Sequence, residues 1–426
     1  MHAADAHSPV IVVGGGIAGL VTARELVLAG REVTLVETSE RLGGQVARHS
    51  VAGIDLDAGA EAFATRGTDV ARLLAALGLD ADVVTPSPSP AWVQRTRGGA
   101  VPLPATSLLG IPGVPLAQDV IDAIGLPAAL RAQLDMLLPG LVGSKAATVG
   151  ELVRRRMGRA VLEGLVAPVA RGVHSTDPDA LDLDRAAPGL RQALLSAGNL
   201  GQAVRSLRAK APAGSLVASL RGGMFRLVDA LASDLDRFGV RVRTATEVTA
   251  FDAAGVTTAA GERIRGEVVL AAPLGVDVPR TRVQVATIAV DAPALAAAPR
   301  GTGVLVAPGV TGVGARALTH LTAKWEWLAE STPLHLLRLS YDDGVEVTAE
   351  LARADAEALL GTPIPEPVDS AIVSWERVGR RPDTEHAIDG MHRVGEAESG
   401  TGLAAVVSYA RSIAGAIPPR GSAGEG

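Results

Sequence analysis

The pattern of apolar and polar residues changes period twice near the start of the chain. Val10–Val13 is a run of four β-branched residues, which predicts a buried strand. Segment 18–30 carries apolar residues at helical spacing and ends at Gly30, and segment 32–37 then alternates as a second strand. The order strand, helix, strand predicts a βαβ unit, and therefore a parallel sheet.

Three glycines connect the first strand to the helix. Gly14, Gly16 and Gly19 have the G-x-G-x-x-G spacing, in which the first permits a tight turn, the second lets a pyrophosphate approach, and the third allows close packing. The helix N-terminus offers free N–H groups and the positive end of its dipole. Glu37 ends the second strand, where a carboxylate can accept hydrogen bonds from ribose hydroxyls. The pattern indicates a dinucleotide site; the alternative is a structural βαβ unit with an incidental acid.

Composition narrows the function classes. The 426 residues are enough for two or three domains, and the net charge of −6 with 2% aromatic residues argues against a nucleic-acid partner. Because cysteine is absent, disulfides, thiol catalysis, cysteine-ligated metals and a cysteine-linked cofactor are excluded. The first ten residues lack the features of a signal peptide, and no apolar run is long enough for a membrane span. We expect a cytoplasmic protein without a metal or a transmembrane segment.

The segment after the second strand points to a flavin. In the sequence ETSERLGG, which starts at Glu37, Arg41 can neutralise phosphate, and Gly43 and Gly44 let the backbone approach a cofactor. The segment resembles one found in the flavin oxidoreductases that include amine oxidases, phytoene desaturases and protoporphyrinogen oxidases, where it contacts FAD. Many of those proteins have a basic residue at the position of Gln45.

Later segments resemble other parts of the same flavin-binding domain. Segment 221–235 resembles its glycine-led helix, and 268–273 resembles the strand that closes it. Segment 392–411 resembles the tail in which a glutamate faces the ribityl chain and a glycine turn starts a helix aimed at the flavin ring, where the helix dipole stabilises a reduced flavin. By this resemblance, the FAD contacts are Gly14, Gly16, Ile17, Ala18, Gly19, Glu37, Thr38, Arg41, Gly43, Gly44, Gly59, Ala60, Glu61, Val248, Ala272, Gly395, Glu396, Thr401, Gly402 and Leu403.

Four further segments resemble the bacterial coproporphyrinogen III and protoporphyrinogen oxidases. They are 59–67, 98–113, 167–190 and 315–330, and the likeness extends with gaps over nearly the whole chain. It implies FAD-dependent oxidation of coproporphyrinogen III to coproporphyrin III in haem biosynthesis. Three hydride transfers to FAD, reoxidation by O2 and release of H2O2 would account for the six electrons, and the product would pass to a later enzyme. Protoporphyrinogen oxidation and a non-catalytic flavin- or porphyrin-binding role are the alternatives.

Coproporphyrinogen has four propionates, so the resemblance implies basic residues at the mouth of the site. Arg66 is the first candidate for a substrate-binding and catalytic residue, because it follows the GAEAF turn beside the expected flavin. Arg171, His174 and Lys324 are further substrate-binding candidates, with a surface ion pair as the favoured alternative for Arg171 and Lys324. His174 stands where the family often has tyrosine, and the stretch 386–395 is shorter than the family pattern by a helix and a strand.

Together these features predict an α/β fold: a Rossmann-like FAD-binding domain interleaved with a mixed α+β substrate domain and a helical insertion. The expected boundaries are 1–80, 211–280 and 391–426 for the FAD-binding domain, 81–115 and 281–390 for the substrate domain, and 116–210 for the insertion. The basic run at 154–159 could face a membrane surface or an acidic partner, but a solvated helix face is favoured.

Overall fold

The computed structural model describes residues 8–65, 67–209, 217–379 and 391–418. Arg66, and residues 386–390 of the stretch predicted to be shortened, lie outside these residues. The strands in chain order are β1 (Val10–Val13), β2 (Val33–Val36), β3 (Arg48–Val51), β4 (Ile54–Asp57), β5 (Phe63–Ala64), β6 (Val83–Val84), β7 (Trp92–Gln94), β8 (Ala100–Pro102), β9 (Ser107–Leu108), β10 (Ile111–Pro112), β11 (Val217–Leu220), β12 (Arg241–Arg243), β13 (Val248–Asp252), β14 (Gly255–Thr258), β15 (Arg263–Arg265), β16 (Glu267–Leu270), β17 (Arg280–Val290), β18 (Gly303–Val306), β19 (Ala317–His320), β20 (His335–Tyr341), β21 (Asp369–Val378) and β22 (His392–Arg393).

Sixteen α-helices lie between and after these strands in the described residues. In chain order they are α1 (Ile17–Leu28), α2 (Asp69–Ala76), α3 (Gln118–Ile124), α4 (Leu126–Gln133), α5 (Val149–Arg156), α6 (Arg159–Val161), α7 (Ala167–His174), α8 (Leu183–Ala186), α9 (Leu190–Ala197), α10 (Leu200–Ala209), α11 (Phe225–Arg237), α12 (Leu321–Lys324), α13 (Glu326–Ser331), α14 (Ala349–Leu360), α15 (Glu396–Ser399) and α16 (Leu403–Ala416). A π-helical stretch, Leu162–Val166, joins α6 to α7. No helix in the described ranges combines the length and apolar character that crossing a bilayer requires.

A five-stranded parallel sheet carries the glycine turn. Its order is β12-β2-β1-β16-β22, so strands from three distant parts of the chain lie side by side. β1 and β2 are buried along their whole length, as expected for a parallel sheet covered on both faces. α1 packs against α11 and α16. The predicted α/β class is confirmed, and the interleaving places the tail strand β22 beside β16 and the tail helix α16 against α1.

One arginine links the parallel sheet to the chain segments before β1 and after α16. The buried guanidinium of Arg31 donates to the Glu267 carboxylate at 2.8 Å, to the Ser8 carbonyl at 3.0 Å and to the Pro418 carbonyl at 2.9 Å. Because these partners come from the start, the middle and the end of the described chain, Arg31 fixes the interleaved segments at one point.

A seven-stranded mixed sheet forms the second layer, and we call it the large sheet. Its order is β21-β17-β20-β19-β18-β7-β8, antiparallel except for the pair β18 and β7. α14 packs against β17, β20 and β21 and buries its apolar face there.

The helices α3–α10 form the insertion, which has its own apolar core. The basic run within it is not uniformly solvated, contrary to the favoured interpretation. Arg156 is fully buried, and its Nε donates to Asp135 Oδ1 at 2.5 Å while Nη1 donates to the Pro139 and Val142 carbonyls at 3.0 and 2.8 Å. Its neighbours in the run are exposed and form ion pairs, namely Arg154, Arg155 and Arg159. Arg156 is therefore a structural residue, because its buried charge is balanced by one carboxylate and by carbonyl groups.

Candidate active site

The three glycines after β1 have different surroundings. Gly14 has φ +112°, and a Cβ there would lie 2.9 Å from the backbone of Ala271. A Cβ on Gly19 would overlap the carbonyl oxygen of Gly14, so helix and strand pack too closely for a side chain. A Cβ on Gly16 would meet nothing within 4 Å. Gly16 thus faces open space at the N-terminus of α1, where a phosphate can approach the backbone.

The loop after β2 lies against this glycine turn. The Gly43 amide donates to the Gly15 carbonyl at 2.8 Å, and a Cβ on Gly44 would lie 3.4 Å from Gly16 Cα. Arg41 is exposed at the edge of the loop, where its guanidinium donates to the Gly44 carbonyl at 3.3 Å. The loop and the turn therefore form two walls of one cleft.

Glu37 lies at the base of this cleft and accepts hydrogen bonds from backbone amides. Its Oε2 accepts from Gly15 N at 2.6 Å, and its Oε1 accepts from Ser39 N at 2.8 Å. The exposed Thr38 lies between Glu37 and Ser39 in the chain. Since each carboxylate oxygen has a second lone pair, Glu37 can still accept from two ribose hydroxyls.

The strand segment that contains Val248 runs beside Glu37. The Thr246 amide donates to the Glu37 carbonyl at 2.9 Å, and Val248 itself is buried at the start of β13. The structure thus brings Glu37 and Val248, which are far apart in the sequence, to the same end of the cleft.

The tail adjoins the glycine turn and the start of α1. A Cβ on Gly395 would lie 4.0 Å from Ala18 Cβ, and Ala272 Cβ lies 3.3 Å from the corresponding position on Gly14. The turn before α16 has an exposed Thr401 and a Gly402 with φ +100°, whose Cβ would again meet nothing within 4 Å. Leu403 and Ile17, at the starts of their helices, are both buried.

Glu396 in the tail binds two side chains from other parts of the chain. It accepts from Gln45 Nε2 at 2.9 Å and from Arg377 Nη2 at 2.8 Å, and its side chain is largely buried. Arg377 also donates to the His174 carbonyl at the end of α7. Arg377 therefore connects the tail to the insertion, although no local sequence pattern distinguishes it from the other arginines of the chain.

Gly59, Ala60 and Glu61 continue the wall of the cleft. The Ala60 amide donates to the Gln45 carbonyl at 3.2 Å, and Gly59 lies too close to the same carbonyl for any side chain. The Glu61 side chain forms ion pairs with Lys324 and with Arg338, the latter at 3.3 Å. Burial alone would raise the pKa of Glu61, but Lys324 and Arg338 outweigh it and hold the pKa below its usual range. Lys324 is thus engaged in a partly buried ion pair rather than a surface one.

Arg338 binds the backbone just before Ala60, and the sequence did not single it out. It donates to the Gly59 carbonyl at 2.5 Å and to the Ala58 carbonyl at 3.2 Å. Asp57, just before the loop, accepts from Met224 N and from the next amide, both at 3.0 Å, and burial raises its pKa to about 6. A charge in the otherwise apolar run LLRL was the available signal, because lone charges are rarely buried without a partner.

Two predicted substrate residues lie on α7. Arg171 donates to Asp342 at 2.6 Å, and both side chains remain partly exposed, which is the ion pair that was its alternative. His174 ends the helix, and Ser175 follows with φ +49°. Arg66 lies outside the described residues. Its chain neighbours Thr65 and Gly67 line a cavity of about 300 Å³ whose other walls are mainly apolar.

Residues 17–304, more than half of the chain, match the model of the flavin-containing amine oxidoreductase family. The chain belongs to that family. Its cofactor is therefore FAD, as the sequence predicted. The cleft of this flavoprotein fits the group in chemical terms: two open glycines, Gly16 and Gly402, each stand at a helix N-terminus, and Glu37 has free acceptor capacity.

Several relatives of this flavoprotein are named for porphyrinogen oxidation. It is 30% identical to the coproporphyrinogen III oxidase of Mycobacterium bovis in an alignment of 394 positions, gaps included, that covers 85% of each protein. It is 25% identical to the coproporphyrinogen III oxidase of Propionibacterium freudenreichii in an alignment of 299 positions, gaps included, that covers 62% of this chain but only 57% of that relative. A crystal structure described as a candidate protoporphyrinogen oxidase, from Exiguobacterium sp. 255-15, matches 96% of this chain and 98% of its own, with a TM-score of 0.80 and 23% identity. This last similarity shows the fold.

Proposed function

We propose that this flavoprotein oxidises coproporphyrinogen III to coproporphyrin III, with O2 as the electron acceptor and H2O2 as the second product. The observation that carries the proposal is the 30% identity, over 85% of the chain, to an oxidase named for that substrate. The reaction balances as one porphyrinogen and three O2 giving one porphyrin and three H2O2. The cytoplasmic location and the transfer of the product to a later enzyme stay predictions from the sequence.

FAD, when bound, supplies the electron acceptor for the macrocycle. The residues of the chain then have the tasks of binding and orientation. Gly16 and the first turn of α1 would hold the pyrophosphate, Glu37 the ribose, and Glu396 the ribityl region. The adjoining wall is kept rigid by Arg338, whose bonds to two carbonyls fix Gly59 in place.

Charged side chains at the edge of the site would orient the substrate. We retain Arg66, Arg171, His174 and Lys324 as the proposed contacts to the propionates. The Lys324 side chain is about one-fifth exposed and already forms an ion pair with Glu61, so a propionate would be a second anionic partner. Because guanidinium and ammonium groups bind carboxylates strongly when partly desolvated, a substrate with four propionates gains more from them than one with two.

The test is to load the purified protein with FAD and add coproporphyrinogen III or protoporphyrinogen IX in air. Porphyrin fluorescence, O2 consumption and H2O2 are recorded together, against the same mixture without protein. We expect fast formation of coproporphyrin, slower formation of protoporphyrin, and loss of turnover under argon. FAD-loaded protein that forms neither porphyrin contradicts the proposal, and protein that acts only on protoporphyrinogen contradicts the choice of substrate.

A further inference from the structure

Three arginines converge where the insertion meets the large sheet. Arg171 is on α7, Arg316 immediately precedes β19, and Arg377 is in β21. Arg316 donates to Ser175 Oγ at 2.9 Å and Arg377 donates to the carbonyl one residue earlier, so both reach the C-terminus of α7. We call Arg171, Arg316 and Arg377 the arginine cluster.

One carboxylate is divided between two of these guanidiniums. Asp342 Oδ2 accepts from Arg171 Nη2 at 2.6 Å, and Asp342 Oδ1 accepts from Arg316 Nη1 at 2.9 Å. The third arginine is paired with Glu396 at 2.8 Å. These five side chains therefore carry three positive and two negative charges. The position of Asp342 also shows that a carboxylate fits between Arg171 and Arg316 with one oxygen on each, and both contacts are charge-assisted hydrogen bonds.

The charge of Arg316 lies in an electrostatically unfavourable position. It is 7% exposed, and its Nε is buried with no hydrogen-bond partner among the described residues. Burial and the repulsion from Arg377 and Arg171 lower the pKa of Arg316, against the opposing effect of Asp342. Its backbone is fixed by the buried Asp355, which accepts from Gly314 N at 3.1 Å and from Ala315 N at 2.8 Å.

The outer side of the cluster is open to solvent. The Arg171 side chain is 34% exposed and that of Asp342 is 47% exposed, whereas Arg316 behind them is almost fully covered. An anion can therefore reach Arg171 first and exchange with the Asp342 carboxylate. On the inner side, the cluster adjoins the flavin cleft, because Arg377 contacts Glu396 and Glu396 contacts Gln45.

We propose that the arginine cluster is a binding subsite for carboxylate groups of the macrocyclic substrate, in which Asp342 occupies Arg171 and Arg316 until a substrate carboxylate replaces it. The inference rests on the proposed function and names the side chains that select a polycarboxylate. A carboxylate ligand is favoured because a carboxylate of this chain already fills the position. The adjoining cleft restricts the ligand to one whose ring can lie toward the flavin.

The experiment measures binding without turnover. Coproporphyrin III and its tetramethyl ester, which has the same ring and no free carboxylate, are titrated into FAD-loaded protein, and the quenching of porphyrin fluorescence gives each Kd. We expect Arg171→Gln and Arg316→Lys each to weaken binding of the acid by about tenfold and to leave the ester unchanged. Asp342→Asn removes the competing carboxylate, so it should tighten binding of the acid. Arg159→Gln, which changes an exposed, ion-paired arginine of the same insertion, is the matched control.

The outcomes separate this proposal from the proposed function. If the wild type oxidises coproporphyrinogen but Arg171→Gln and Arg316→Lys bind the acid with wild-type affinity, the subsite is wrong and the function stands. If no porphyrinogen is oxidised but the arginine variants bind the acid more weakly, the subsite stands and the function is wrong. Unchanged or weaker binding in Asp342→Asn rejects the exchange of carboxylates. Arg171→Gln changes a partly exposed side chain, so it tests the subsite even if the buried Arg316 variant does not fold.

Discussion

Gln45 donates a hydrogen bond to Glu396 at 2.9 Å, across 351 positions of the sequence. The family resemblance leads one to expect a basic residue at position 45, and glutamine leaves Glu396 without that charge. Arg377 supplies it instead, from β21 at 2.8 Å. A cation from the large sheet therefore balances the tail carboxylate, so the cleft and the arginine cluster share one ion pair.

Gly16→Val should abolish FAD retention without unfolding the protein. The site has an ordinary φ of −72° and open space around the added side chain, so the fold accepts valine, but the side chain enters the space proposed for the pyrophosphate. The measurement is the ratio of flavin absorbance to protein absorbance after purification and incubation with FAD. Gly99→Val is the control, since Gly99 also has free space around its Cβ and lies outside the cleft. Equal flavin content in both variants would reject the site.

Arg66→Ala should weaken use of the porphyrinogen and leave the flavin spectrum intact. A charge-assisted contact contributes about 1.5–3 kcal/mol, so kcat/KM for coproporphyrinogen III should fall by roughly 10- to 100-fold. The fall should shrink as salt is raised and be smaller for protoporphyrinogen, because that substrate has fewer carboxylates. Steady-state rates at two salt concentrations measure it. Full activity of the variant on both substrates would make Arg66 a surface charge only.

Arg156→Ala should destabilise the insertion by about 3–5 kcal/mol, because Asp135 is left as a buried charge and several carbonyls lose their donor. The shift in the urea midpoint measures it. Arg155→Ala is the control within the same run: its side chain is 57% exposed and, within the described ranges, its one ion pair is with Glu151, so its change should be below about 1 kcal/mol. Similar shifts for the two variants would contradict the structural role of Arg156.

His320 should make the protein less stable in mild acid. Burial and the nearby His335, whose Nδ1 lies 3.1 Å from His320 Nε2, lower the pKa of His320 from 6.5 to about 4. In the unfolded chain His320 becomes protonated near pH 6.5, but in the folded protein it stays neutral down to about pH 4. The free energy of unfolding therefore decreases as the pH falls from 6.5 to 4. The loss between pH 7 and pH 5 is about 2 kcal/mol. We expect urea unfolding of His320→Leu to show a difference in stability between pH 7 and pH 5 that is smaller than that of the wild type by this amount. The same difference in both proteins would refute the role of His320.

The glycine cleft was predictable because its parts are close in the sequence. Gly14, Gly16 and Gly19 lie in one turn, and Glu37 follows at the end of the next strand, so periodicity and spacing define them. The glycines also have signatures that packing explains, namely a positive φ at Gly14 and no room for a side chain at Gly19. The crowding at Gly19 comes from the nearby Gly14 carbonyl and is local, whereas a side chain at Gly14 would also meet the distant Ala271.

The arginine cluster could not be predicted in the same way. Arg316 and Arg377 meet Ser175 and His174 across sequence separations of 141 and 203, and neither sits in a distinctive motif. Only the packing of the insertion on the large sheet brings them together. Arg171 was singled out by resemblance alone, and its pairing with Asp342 depends on the same packing.

The parallel sheet also constrains how the protein is made. β22 adds the outermost strand and α16 covers α1, yet these are the last described elements to leave the ribosome, long after β1 and α1 have emerged. The Arg31 bond to the Pro418 carbonyl can form only after these elements have been synthesised. While the insertion and the large sheet are being synthesised, the apolar face of α1 that packs on α16 has no partner. Exposed apolar surface of this kind makes nascent chains prone to aggregation, which is one reason why chaperones are needed. The wall of the cleft that the tail supplies is therefore complete only after residues 391–418 have been synthesised.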